Sequence, residues 1–288
     1  MFRSFSQSWD FTVASLRILG SNKRLIVFPL ASLLSTALVV ASFAVPLVVG
    51  GQLAQWANAM HAHRGLPRDP MFYLLLFLFY YLNYFVITFF NSALFVCILQ
   101  AMMGQRPSVR FGLSVASYRL PEIAAWALFA ACVGMTLKII ESTHRRAGQV
   151  VAGLLGMAWT AMTYFVVPVI VLEGVGPLAA VKQSLATLRK TWGTALVHNF
   201  SLKLPLTLIL LPIYACGIGL VLLGRHGGNP WTAGGAIAGG IALFALGIGI
   251  GNAAETTFNA LLYNFANDRP LPDFVKQDAL GQAFVMKP

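Results

Sequence analysis

Charge is scarce in this sequence. Asp, Glu, Lys and Arg make up 10% of its 288 residues, where an ordinary soluble domain carries about a quarter. That is too little to clothe a water-facing surface, and 58% of the residues are hydrophobic, with a mean hydropathy of +0.73. Lipid is therefore the expected solvent for most of the molecule. Cysteine is scarce too. Cys97, Cys132 and Cys216 each lie within an apolar run, with no C-x-x-C pair and no histidine at ligand spacing, so they read as small buried hydrophobes and not as bridges or metal ligands. Catalytic signatures are missing as well: no G-x-S-x-G, no His-Glu-x-x-His, and no phosphate-cradling glycine loop followed by Lys. His61, His63 and Arg64 cluster in one short segment, but no carboxylate or cysteine stands at ligand spacing to them. The expectation is a non-enzyme with no cofactor and no metal.

Long apolar runs are what the chain does have. A helix needs about 20 apolar residues to cross a hydrocarbon core of about 30 Å, and six segments supply them: Leu25 to Val49, Met71 to Leu99, Ile123 to Ile140, Val150 to Leu172, Ala195 to Leu223 and Gly234 to Phe265. The fold class is all-α, a polytopic transmembrane bundle of about six helices, forming one integral membrane domain over 1–288. No short apolar stretch with a cleavage site precedes the first run, so that run is expected to remain as an anchor. Pro29, Pro168, Pro205 and Pro212 fall inside runs and predict kinks, tolerable only where neighbouring helices or hydroxyls satisfy the freed backbone groups.

The net charge of +11 does not imply nucleic acid, because the basic residues are scattered through short inter-span segments and not gathered on one face. Fourteen of the 20 Lys and Arg lie before the first span, in the second-to-third and fourth-to-fifth connections, and after the sixth, counting Lys203 near the start of the fifth span with the fourth-to-fifth connection. Cytoplasmic segments are enriched in Lys and Arg, so both termini are expected in the cytoplasm. Membrane lipids, anionic headgroups included, are the expected partners, each basic residue near the surface contributing about 1 kcal/mol. Another membrane protein or a second copy is a further candidate.

An order of signals recurs along the chain. The tetrads Ala14-Ser15-Leu16-Arg17, Ala116-Ser117-Tyr118-Arg119 and Ala186-Thr187-Leu188-Arg189 resemble one another. Each even-numbered span ends in a turn residue with a proline three later: Gly104 and Pro107, Gly174 and Pro177, Asn267 and Pro270. This predicts three pseudo-repeats, about 1–106, 107–177 and 178–266, followed by a tail over 267–288. Each repeat would be an interfacial helix (2–17, 107–119, 178–192) followed by a transmembrane hairpin. Phe2, Phe5, Trp9, Val13 and Leu16 share one helical face, as do Leu178, Val181, Leu185, Leu188 and Trp192. Such a stripe with basic flanks either lies among headgroups or packs on the bundle.

The stretch Val167-Pro168-Val169-Ile170-Val171-Leu172-Glu173-Gly174, with Pro177, Ala180, Ser184 and Arg189 after it, resembles the membrane domain of bacterial glycerophosphodiester phosphodiesterases. It is also similar to uncharacterised six-helix bacterial membrane proteins related to that domain. The resemblance implies residence in the bacterial inner membrane. It implies no activity, since catalysis in such proteins belongs to a separate soluble barrel.

Polar groups inside spans are costly and ask for a use. Glu255 stands ten residues before Phe265, about 15 Å along the helix. Asn252, Glu255, Thr256 and Asn259 share a face by their spacing. Counted from the prolines, Asn91 and Ser92 in the second span and Thr160 and Thr163 in the fourth reach a similar depth. Lys203 in the fifth is a candidate counter-charge for Glu255, or snorkels to the headgroups. The expected site is a polar layer between the repeats, with Glu255 facing the interior, that binds or moves a lipid, small amphiphile or small solute. The same groups could instead be interhelical glue, and the alternative function is a scaffold for a partner membrane protein. Gly235 with Gly239 and Gly247 with Gly251 are expected to let helices pack closely, and Lys138 with Glu141 to form a surface pair.

Overall fold

The computed structural model describes residues 2–63, 66–67, 69–143, 147–190, 195–226 and 230–272. Among these the chain is helical throughout, with no strand: α1 (Phe2–Ser21), α2 (Val27–Val49), α3 (Gln52–His63), α4 (Pro70–Met102), α5 (Val109–Tyr118), α6 (Leu120–Thr143), α7 (Ala147–Met162), α8 (Val166–Glu173), α9 (Pro177–Lys190), α10 (Ala195–His226) and α11 (Pro230–Ala266). Six helical stretches are long and apolar enough to span a bilayer, and they coincide with the six expected runs. The helices gather into two compact units. One comprises Met1–Leu33, Ala93–Leu113 and Thr187–Pro288; the other comprises Leu34–Ser92 and Ser114–Ala186. These boundaries do not follow the expected repeats.

The second and sixth spans end alike. Gly104 and Asp268 adopt left-handed φ values of 72° and 51°. Around each, paired backbone bonds close a Schellman turn: Gly104 N–H to Ala101 O with Gln105 N–H to Gln100 O, and Asp268 N–H to Phe265 O with Arg269 N–H to Asn264 O. After the fourth span Gly174 (φ 62°) closes on Ile170 O by the simpler single bond. The left-handed residue of the last turn is thus Asp268, one place beyond the expected Asn267. At Gly174 a second constraint acts, because a Cβ there would collide with the Arg119 guanidinium. Arg119 Nε donates to Val171 O at 3.3 Å and Nη1 lies 3.7 Å from Glu122, so the tetrad arginine sits on the carbonyl end of α8, where a cation is favoured.

The prolines act unequally. Pro29 falls in the first turn of α2, where its missing N–H removes no intrahelical bond of α2. Pro205 and Pro212 lie within an uninterrupted α10. Pro168 divides the fourth span, since its ring crowds the carbonyl of Tyr164 four residues earlier. The bonds tighten there to Tyr164 N–H on Ala161 O and Val166 N–H on Thr163 O, and α7 gives way to α8. The Phe165 N–H instead donates to the Ser184 hydroxyl of α9 at 3.0 Å, both residues being fully buried. Ser184 belongs to the stretch that carried the family resemblance, and this is its structural use.

Helices form at all three places expected for interfacial elements, and the described ones are docked through small residues. α1 packs against α10 and α11, burying Thr12 and Ser15 with Ile18 and Leu19 and leaving Trp9 and Val13 exposed. On α5, Gly112 and Ala116 are buried, with Phe111 and Tyr118 exposed. A Cβ on Gly112 would meet Ala93 O at 2.7 Å and Cys97 Sγ at 2.6 Å. α9 buries Ala180, Ser184, Thr187 and Leu188 and exposes Leu178. The expected apolar stripe therefore exists on α1 but is the uncovered face, while Phe2, Phe5 and Trp192 lie outside the described side chains.

Candidate functional site

The site is built on the contact of α10 with α11, the most extensive helix contact among the described residues. The pair is antiparallel, because contacts run in opposite directions along the two helices. A Cβ on Gly224 would meet Ala233 O at 2.8 Å, one on Gly240 would meet Gly217 O at 2.5 Å, one on Gly247 would meet the Tyr214 ring at 2.6 Å, and one on Gly251 would meet Leu210 at 3.5 Å. The backbones approach where hydrogens replace side chains, as in membrane helix packing by small residues. Of the two glycine pairs expected to let helices pack closely, Gly247 with Gly251 lies at this contact, whereas Gly235 with Gly239 does not form its closest point. Gly235 meets nothing within 4 Å, and Gly239 meets Leu220 of α10 only at 3.9 Å, so that pair lies beside the seam, whose closest point is formed by Gly217 and Gly240.

Beyond Tyr214 the seam opens into a pocket of about 190 Å³. Its polar lining is Thr207, Tyr214, Asn252 and Glu255, and its apolar lining Leu206, Leu210 and Ile248, with Gly251 leaving the space free. Residues 206, 207, 210 and 214 share one face of α10, and 248, 251, 252 and 255 one face of α11. Because the helices are antiparallel, Glu255 lies level with Leu206 and Thr207, and Tyr214 lies level with Ile248. The pocket is about 10 Å long by the helical rise between 248 and 255. It has a polar end at Glu255 and Thr207 and an apolar end closed by Tyr214, whose ring packs on Phe244 at 5.0 Å. Ile248 is the central residue of α11, and Glu255 is eleven residues from Ala266, so the polar end is nearer the helix terminus.

Glu255 does not sit beneath protein, contrary to the expected interior orientation. It is exposed, as is Asn252. The reason is azimuth: Ala253, Ala254, Thr257, Phe258 and Leu261 make the buried face of α11, and Glu255 projects more than a quarter turn from it. Among the described residues no basic group lies within ion-pairing distance of Glu255. The Lys203 side chain lies outside the described residues.

Of the residues expected to form one polar layer, the pocket brings together Asn252 and Glu255. Asn259, one turn further along α11, is half-buried. Asn91, Ser92, Thr160 and Thr163 belong to the other unit. There the Thr160 hydroxyl donates to Gly156 O and the Thr163 hydroxyl to Trp159 O, each at 2.8 Å, so both satisfy carbonyls of their own helix. Asn91 is half-buried, and Ser92 is fully buried. Thr207 and Tyr214 were missed by the sequence reading. Their signal was a pair of hydroxyl-bearing residues seven apart in an otherwise apolar span, which places both on one face. The expected pair Lys138–Glu141 is present at 3.0 Å; of the three cysteines expected to be buried, Cys97 is, with its thiol on Ser108 O, whereas Cys132 and Cys216 lie on exposed faces of their spans. His61, His63 and Arg64 lie outside the described side chains, and among the described residues no cluster of metal-ligating groups occurs.

A family model spanning residues 70–270 matches the chain. The chain belongs to DUF6159, a family of unknown function. The DUF6159 match runs from the start of α4 past the end of α11 and so includes every residue of the α10–α11 pocket. No curated protein matches the chain.

Proposed function

We propose that this DUF6159 protein is a non-catalytic membrane protein that binds, and in binding helps to move, a lipid, small amphiphile or small solute at the α10–α11 pocket. The observation that carries this reading is the pocket's pairing of a carboxylate with an apolar trough inside a span. An ionisable group there costs roughly 2.5 to 3.5 kcal/mol on insertion scales, and a bound polar group offsets that cost where no neighbouring side chain does. The resemblance over residues 167–189 lends the reading a membrane-domain architecture and no activity.

Extraction with surrounding lipid followed by mass spectrometry tests it. The wild-type protein is expected to retain a lipid or amphiphile that Gly251→Leu, which fills the trough, loses. Gly251→Ala serves as the folding control, since its Cβ meets only Leu210 at an ordinary distance. Identical retained molecules in wild type and Gly251→Leu would sink the proposal. The scaffold reading draws on a different observation, the open face at Gly234, Gly235 and Gly239; a co-purifying protein released by Gly235→Leu, with the pocket empty in the wild type, would favour it.

We further propose a bacterial inner-membrane location with both termini cytoplasmic, on the partition of Lys and Arg. Reporter fusions after Arg110 and Lys190 should read cytoplasmic and one after Arg64 extracytoplasmic; the reverse pattern would overturn the orientation.

A further inference from the structure

We infer that the α10–α11 pocket selects a primary-ammonium amphiphile, its cationic head at Glu255 and Thr207 and its apolar part directed toward Tyr214. The inference rests on the binding role proposed above and narrows its ligand to a charge class.

Three observations carry it. The first is sign. Among the described residues Glu255 is the one carboxylate lining the pocket, and no Lys, Arg or His lines it. An ionised carboxylate only accepts hydrogen bonds, and the Asn252 amide and Thr207 hydroxyl can accept as well. A primary ammonium brings three donors and the opposite charge, so it matches this end of the pocket. A phosphate or sulfate head would face like charge, and a neutral alcohol would leave the carboxylate without a counter-charge in apolar surroundings.

The second is polarity along the pocket. The polar end holds Glu255 and Thr207, whereas Leu210, Ile248 and the Tyr214 ring close the other. A small hydrophilic cation would leave that apolar half without a partner, while a head joined to an alkyl chain fills both. The third is placement along α11. The polar end lies about 16 Å from the helix terminus and the apolar end at the helix centre, by the helical rise. That is the orientation an amphiphile already has in a leaflet, so it would enter without inverting.

Radiolabelled dodecylamine, dodecanol and dodecyl sulfate, offered to the full chain in maltoside micelles at pH 7, separate these possibilities. Dodecylamine is cationic at that pH, as a lysine side chain is. It should bind at least about tenfold more tightly than dodecanol, the ratio expected of a charge-assisted contact, and dodecyl sulfate should not compete. Glu255→Gln should bring the amine down to the level of the alcohol with the melting temperature unchanged. Equal binding of amine and alcohol to the wild type, or an undiminished amine preference in Glu255→Gln, overturns the inference. If Gly251→Leu nonetheless lowers binding of both probes, the pocket stands and only its charge selectivity falls; if Gly251→Leu changes neither, the pocket itself is not a binding site. Matched phosphatidylethanolamine and phosphatidylglycerol identify the source of the ammonium. Glu255-dependent retention of the first alone assigns a lipid headgroup, and dependence confined to dodecylamine assigns a free amine.

Discussion

The hairpin of α6 with α7 and that of α10 with α11 hold corresponding places in the order of spans, yet they close by opposite means. Away from its turn, the first is spaced by rings: Trp126 and Trp159 stack at 5.7 Å and 3°, with Phe129 leaning on Trp159 at 5.8 Å. The α7 glycines Gly153 and Gly156 meet nothing within 4 Å. In the second hairpin glycines make the closest contacts, and the Tyr214 ring, which packs on Phe244, fits because Gly247 lacks a side chain. Planar rings occupy the space between two helix backbones. Glycines draw the backbones together, and free volume then survives only where the contact loosens, as it does at Gly251. The two hairpins also treat proline differently. α10 runs on through Pro205 and Pro212, while the fourth span breaks at Pro168 and recruits a hydroxyl from the next helix.

The sharpest way to break this comparison is to give each hairpin the other's side chains. In Gly240→Val the new Cβ would stand 2.5 Å from Gly217 O and 2.7 Å from Val221 Cγ2. Backbone on one side and a packed side chain on the other cannot both yield, so a loss of about 3 kcal/mol or more is expected. Gly153→Val adds a side chain in open space and should change stability by no more than about 0.5 kcal/mol. Denaturant unfolding of both variants in maltoside checks this; similar losses in the two would mean that the glycines of α11 are not a seam.

The sequence disclosed features that depend on position along the chain, and hid those that depend on azimuth and on distant partners. Six spans were legible because hydrocarbon demands about 20 apolar residues whatever their packing. The tetrad arginines and turn glycines were legible as a recurring order, though not the use of Arg119 to cap α8. The position of Glu255 along α11 followed from its count of residues to Phe265. Its orientation did not, because Ala253 and Ala254 outcompete it for the buried face only once the helix meets its neighbours. Thr160 and Thr163 looked like members of a shared layer, and only coordinates show their hydroxyls turned to Gly156 and Trp159 of their own helix. The glycine run of α11 announced close packing, but the choice of Gly240 over Gly235 belongs to α10, which the run does not encode.

A smaller effect tests why one proline breaks its span. Pro168 offers no N–H and crowds Tyr164, so the chain tightens by one bond and Tyr164 N–H takes Ala161 O at 3.3 Å. That carbonyl is the one Phe165 would use in an unbroken helix, and the Phe165 N–H turns to Ser184 instead. Ser184→Ala removes this acceptor in a fully buried place, at an expected cost of about 1 to 3 kcal/mol. Pro168→Ala should let the span run on and return the Phe165 N–H toward Ala161. In that background Ser184→Ala should cost less, by a coupling of about 1 kcal/mol. Ser184→Thr keeps the hydroxyl and should retain most of the stability in either background. If the losses from Pro168→Ala and Ser184→Ala simply add, the hydroxyl and the break are unrelated, and the contrast with α10 must come from the helices packed around each proline.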